Sequence, residues 1–177
     1  MAGQYDQGAG KITVNPETRL MQDSNGRSVL MHGVNIVPKM YPYIPVNDSV
    51  DPEFSLTDSE IDDLAKWGFN VVRLGIMWQA VETAPDVYNS TYLDEMDALI
   101  TKLGERGIYS LVDGHQDALS NYTCGEGFPN FYVNQAKPYC DGGIIPWLIQ
   151  EEGLCWSIKD YDLREDKDGN PWDDDCR

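Results

Sequence analysis

A chain of 177 residues, 41% of them apolar, is long enough to bury one sizeable core, so a single globular domain is expected. Thirteen basic residues against thirty acidic ones give a net charge of −17. That balance opposes approach to the phosphates of nucleic acid, which is not expected as a partner, and to an anionic membrane surface, and it favours neutral or cationic partners.

The amino terminus, MAGQYDQGAGKITVNP, has no apolar centre and is neither a signal peptide nor an anchor, and no run elsewhere reaches membrane length. Residues 12–30 predict a hairpin, because ITV, RLMQ and RSVLM flank the turn Asp23-Ser24-Asn25-Gly26. Residues 30–117 then repeat one plan. LMHGVNIV at 30–37 reads as a buried strand that runs into a proline-rich loop, with His32 expected as a satisfied core histidine. Thr57-Asp58-Ser59-Glu60 is a capping box; Ile61, Leu64 and Ala65 follow at helical spacing until Gly68.

NVVRLGIMW at 70–78 predicts a second strand, and Leu93, Met96, Ile100 and Leu103 predict the apolar stripe of a second helix that ends at Gly107. IYSLVD at 108–113 predicts a third strand. Near-continuous apolar strands separated by amphipathic helices imply parallel strands covered by helices, an α/β plan. No glycine fingerprint follows the first strand, which argues against a dinucleotide fold.

Residues 118–177 break the pattern and predict no long helix. They hold Cys124, Cys140, Cys155 and Cys176 without the close pairs of a zinc site, so disulfides between neighbours are expected and a metal is not. Sequons at Asn47, Asn89 and Asn121 fit a secreted, oxidising setting with the signal peptide removed. The acidic run Asp160 to Asp175 reads as a solvated loop; its Asp166-Lys167-Asp168-Gly169-Asn170 lacks the spaced glutamate that closes a calcium loop.

Four residues carry candidate chemistry. His115 and Asp117 lie two apart just past a strand, so an extended backbone turns both to one face, a pairing suited to sugar hydroxyls more than to proton transfer. Arg73 interrupts an apolar strand and needs an anionic partner, either a catalytic carboxylate or a structural one. Lys39 sits among Tyr41, Pro42, Tyr43 and Pro45, where aromatic rings beside a polar group suit a sugar ring. Trp78 and Gln79 end the second strand, where core packing and ligand stacking are both open.

Taken together, GVNIVPKMYPYIP at 33–45, KWGFNVVRLGIMWQAVE at 66–82, and GIYSLVDGHQD with CGEGFPN between 107 and 130 resemble the opening strands of endoglycoceramidases, over about residues 26–130. These are cellulase-like glycoside hydrolases built on a (β/α)8 barrel. The resemblance implies retaining hydrolysis of the bond between oligosaccharide and ceramide, with no cofactor and with two glutamates about 5 Å apart. It implies that Lys39, His115 and Asp117 bind the sugar and that Arg73 supports the nucleophile.

By the same resemblance the acid/base glutamate follows an asparagine at the end of the fourth strand and the nucleophile ends the seventh, whereas the sequence contains no Asn-Glu pair and no recognisable fourth strand. Glu82 and Glu126 belong to loops after earlier strands, so no residue of this chain is assigned as catalytic. A complete barrel takes about 250 residues, so the chain is expected to be the amino-terminal part of one, completed by a second chain or a carboxyl-terminal half. Arg177 at the end fits cleavage after a basic residue, with Cys176 linking across the cut. The alternatives are a non-catalytic glycan-binding or structural extracellular protein, and a calcium-stabilised module.

Overall fold

The structure, a computed structural model, describes residues 11–120 and 125–140, with side chains as far as residue 135. Cys124, Cys155, Cys176, the side chain of Cys140, Asn121 and the acidic run lie outside the described residues, and the expected disulfides with them. The elements in order are β1 (Thr13–Val14), β2 (Met21–Gln22), β3 (Gly33–Ile36), α1 (Asp58–Lys66), β4 (Val71–Met77), α2 (Trp78–Val81), β5 (Glu82–Ala84), β6 (Val87–Tyr88), α3 (Ser90–Glu105), β7 (Tyr109–His115) and α4 (Asn130–Cys140). No helix among the described residues is long and apolar enough to cross a membrane. Two compact units divide the chain at residues 75/76, 90/91 and 113/114.

The amino-terminal hairpin has two turns rather than the single one expected. β1 pairs antiparallel with β2 through a turn built by Asn15, whose side chain accepts from the N–H groups of Glu17 and Thr18. Gln22 then bridges Ser28 over the predicted Asp23–Gly26 turn. There Asp23 accepts from the N–H groups of Asn25 and Arg27, and Gly26 takes φ +77°, where a side chain would be strained.

The central sheet has the order β3-β4-β7, and β3 runs parallel to β4 with Asn35 opposite Arg73. Asn70 sets its starting line. Its backbone N–H donates to His32 O and its carbonyl accepts from Tyr109 N–H; its side chain accepts from His32 N–H and donates to Leu30 O, both at 2.8 Å. His32 is thereby placed ahead of the strand rather than in it. It is exposed, with its ring 4.6 Å from Phe69, which corrects the expectation of a core histidine.

Thr57 caps α1 and shares the predicted capping box with Glu60, and α1 buries Ile61 and Leu64. Gly68 at φ +86° ends it, with its N–H on Ala65 O and that of Phe69 on Leu64 O. α3 buries Tyr92, Met96, Leu99 and Leu103, a stripe rotated from the expected one; Leu93 is exposed. Tyr92 can be buried because its hydroxyl donates to Tyr43 O at 3.4 Å. Val72 and Leu74 of β4 are fully buried, whereas Leu111 of β7 is 58% exposed. The middle strand thus matches the expected burial, and β3 and β7 do not, because each is an outer strand of the sheet among the described residues. α4 also corrects the expectation that nothing beyond residue 118 forms a long helix.

Candidate functional site

β7 extends two residues further than the sequence predicts and ends on His115. The backbone stays extended through Asp117, whose N–H and C=O pair with those of Glu126 at 3.1 and 2.9 Å. The predicted same-face geometry follows: His115 Nε2 lies 3.1 Å from Asp117 Oδ2. A third group, given no role from sequence, joins them. Glu126 Oε1 stands 3.4 Å from the same nitrogen, an ion-pair rather than a hydrogen-bond separation. The side chains of Glu126 and His115 are 9% and 10% exposed, against 54% for Asp117.

The glycines of CGEG explain how a carboxylate reaches that nitrogen. A Cβ on Gly125 would stand 2.1 Å from Asp117 O, and one on Gly127 would stand 2.7 Å from His115 O, where φ is also +120°. The segment lies flat against the strand end because both side chains are missing. Gln79 N–H fastens it from another direction by donating to Gly127 O. Ala118 and Leu119, at φ +47° and +77°, turn the chain at a cost of about 1 kcal/mol or more each.

One carboxylate, one imidazole and one exposed carboxylate can hold an oriented network of hydrogen-bond donors and acceptors. His115, Asp117 and Glu126 also offer ligand atoms within 4.8 Å of one another, a donor set that suits a divalent cation as well as a hydroxyl group.

At the start of β5, Glu82 is 4% exposed and accepts three hydrogen bonds. Its Oε2 accepts from Trp78 Nε1 at 2.6 Å, and its Oε1 accepts from Asp86 N–H and from Tyr132 Oη, both at 2.9 Å. These bonds, led by the Asp86 N–H and opposed by desolvation, hold the Glu82 carboxyl below its ordinary range. The Tyr132 phenol is pushed up, chiefly by its bond to Glu82. Trp78 stands 5.0 Å from Phe128 and 5.1 Å from Tyr132 between ring centroids, and it remains 38% exposed. Both roles foreseen for Trp78 are thus open to it.

Arg73 meets Asp113, Nη2 to Oδ2, at 2.6 Å. The anionic partner that the sequence demanded is therefore on the neighbouring strand; it went unnamed although Asp113, His115 and Asp117 are spaced by two. Arg73, Asn35, Met21, Met31 and Leu111 line a mainly apolar cavity of about 590 Å³. Lys39 follows β3 and is exposed. With Asn35, Glu53 and Phe54 it lines a separate cleft of about 330 Å³. An Asx turn at Asp51 presents Glu53 and Phe54 there, accepting from both N–H groups at 2.9 Å.

A family model described as cellulase, glycosyl hydrolase family 5, matches residues 23–143. The chain is 42% identical to an endoglycoceramidase of Cyanea nozakii over 124 residues, which are 70% of this chain and 24% of that protein. It is 39% identical to an endoglycoceramidase of Hydra vulgaris, with the same coverage. Among solved structures it resembles endo-glycoceramidase II from Rhodococcus sp. in its ganglioside GM3 complex, with TM-score 0.53, 29% identity, and coverage of 68% of this chain and 27% of that one. The chain spans about a quarter of the length of these relatives.

Proposed function

From a chain that belongs to the cellulase family, glycosyl hydrolase family 5, we propose the sugar-recognising work of a retaining β-glycosidase that cleaves oligosaccharide from ceramide in glycosphingolipids. The observation that supports this most is the cluster of His115, Asp117 and Glu126 at the end of β7, where family members of barrel form place substrate-facing groups. Asp117 contacts a sugar hydroxyl and His115 orients it. By itself, the separate cleft lined by Lys39 and Phe54 offers a polar and aromatic surface of the kind that holds pyranose rings.

Arg73 with Asp113 supplies a fixed charge pair whose role is to orient a carboxylate of the barrel. No Asn-Glu pair occurs in the chain, so none of its glutamates is assigned the acid/base role, and none is assigned as nucleophile. Bond cleavage then draws its glutamates from a carboxyl-terminal half or a second chain that completes the barrel. The setting is secreted, with Asn47, exposed on its loop, the first choice for a glycan.

The test uses two measurements on the purified chain. Binding of a lactosyl or ganglioside oligosaccharide, followed by titration calorimetry, is expected for the wild type and is expected to drop at least tenfold in Asp117→Ala, since a lost charged hydrogen bond is worth roughly 1.5–3 kcal/mol. Release of sugar from a fluorescent glycosphingolipid by this chain alone is expected to be nil. Turnover without any other polypeptide, or binding indifferent to Asp117, sinks the reading.

A further inference from the structure

We propose that Glu126 is a positioning residue: its buried carboxylate, acting with Asp117, fixes the ring hydrogen of His115 on Nε2 and so locks the imidazole that aims Asp117 at its ligand. The proposal deepens the sugar-binding reading and rests on it only for the identity of the ligand.

Geometry carries the inference. An imidazole nitrogen is either a donor or an acceptor, and one that faces carboxylate oxygens on two sides is a donor, because a lone pair there would meet only other lone pairs. Nε2 has Asp117 Oδ2 at 3.1 Å and Glu126 Oε1 at 3.4 Å. The three side chains also form a graded series, Glu126 and His115 enclosed and Asp117 open to solvent. The enclosed carboxylate is the part of the series that no ligand has to reach. Glu126 is moreover held there by backbone: it exchanges two hydrogen bonds with Asp117, and glycines stand on both sides of it where any Cβ would strike the strand end. A residue delivered with that much constraint to one nitrogen atom orients that atom.

The chain has only two histidines, and His32, exposed beside Phe69, serves as an internal reference. Long-range proton–nitrogen NMR on uniformly labelled protein reads the tautomer of each ring. The wild type is expected to show His115 as a single Nε2–H form, with His32 averaged. Glu126→Gln, which can still set an oxygen beside Nε2, keeps that form. Glu126→Ala turns His115 into an averaged pair of tautomers and weakens oligosaccharide binding about tenfold, while His32 stays unchanged. A wild-type His115 carrying its hydrogen on Nδ1, or a folded Glu126→Ala with the wild-type tautomer, overturns the proposal. If Glu126→Ala does not fold, the wild-type tautomer and its retention in Glu126→Gln decide. A tautomer that responds to Glu126 in a protein that binds no oligosaccharide leaves the clamp standing and removes the sugar reading alone.

Discussion

Two loops follow strands that carry candidate ligand contacts, and they are made rigid by opposite means. After β3, residues 37–57 are held by side chains. Asp51 builds a turn, and Ser55 Oγ donates to Glu60 Oε1 at 2.8 Å; the other oxygen of Glu60 accepts from Thr57 N–H at 2.8 Å. After β7, the described residues 116–120 and 125–129 are held by the absence of side chains, with Gly125 and Gly127 pressed against the strand end. A loop fixed by caps loses one hydrogen bond at a time. A loop fixed by close backbone approach tolerates no added atom.

The largest expected effect breaks the second loop. Gly125→Ala forces a methyl to 2.1 Å from Asp117 O, and urea unfolding should show a loss of about 3 kcal/mol together with loss of the single His115 tautomer. Thr57→Ala removes a capping hydroxyl from the first loop and should cost only about 1 kcal/mol in the same assay.

Acid sharpens the contrast further. The Glu60 carboxyl is held below its ordinary value of 4.5, first by the Thr57 N–H and then by the Ser55 and Thr57 hydroxyls against desolvation. A lowered folded-state value means that its contribution is complete above about pH 4.5 and is lost as pH falls through the folded value. Glu60→Gln should flatten that part of the acid-side decline in melting temperature without touching the neutral plateau slope. The smallest effect is expected from Asp51→Ala, a fraction of a kcal/mol for an exposed Asx turn, read as faster amide exchange at Glu53 and Phe54.

How much of this was legible in the sequence follows the same division. The capping box, the strand that holds Arg73, the body of the strand that leads to His115, and the same-face pairing of His115 with Asp117 obey rules that span a few residues, and the structure bears out each. The place of Glu126 depends on a contact between glycines and a strand end eight to twelve residues away, which no local pattern encodes. The α3 stripe was misjudged because Leu93, Met96, Ile100, Leu103 and Tyr92, Met96, Leu99, Leu103 fit a helical period equally well. The second is the buried one, and it includes Tyr92, whose hydroxyl donates to Tyr43 O. α4 was missed because Pro138 reads as a breaker and its apolar residues are weakly periodic.

The four bonds of Asn70 have a reach beyond the start of the sheet. One amide ties the chain before β3 by side chain, and both His32 and Tyr109 by backbone, so the three strands are measured from a common zero mark. A slip of one residue at that mark would hand every ligand-facing position to its neighbour in sequence, and Arg73 would be replaced opposite Asn35 by an aliphatic side chain. Asn70→Asp keeps the outline of the side chain but removes its donor to Leu30, and the consequence to look for is a shifted register at the far ends of strands that this residue never touches.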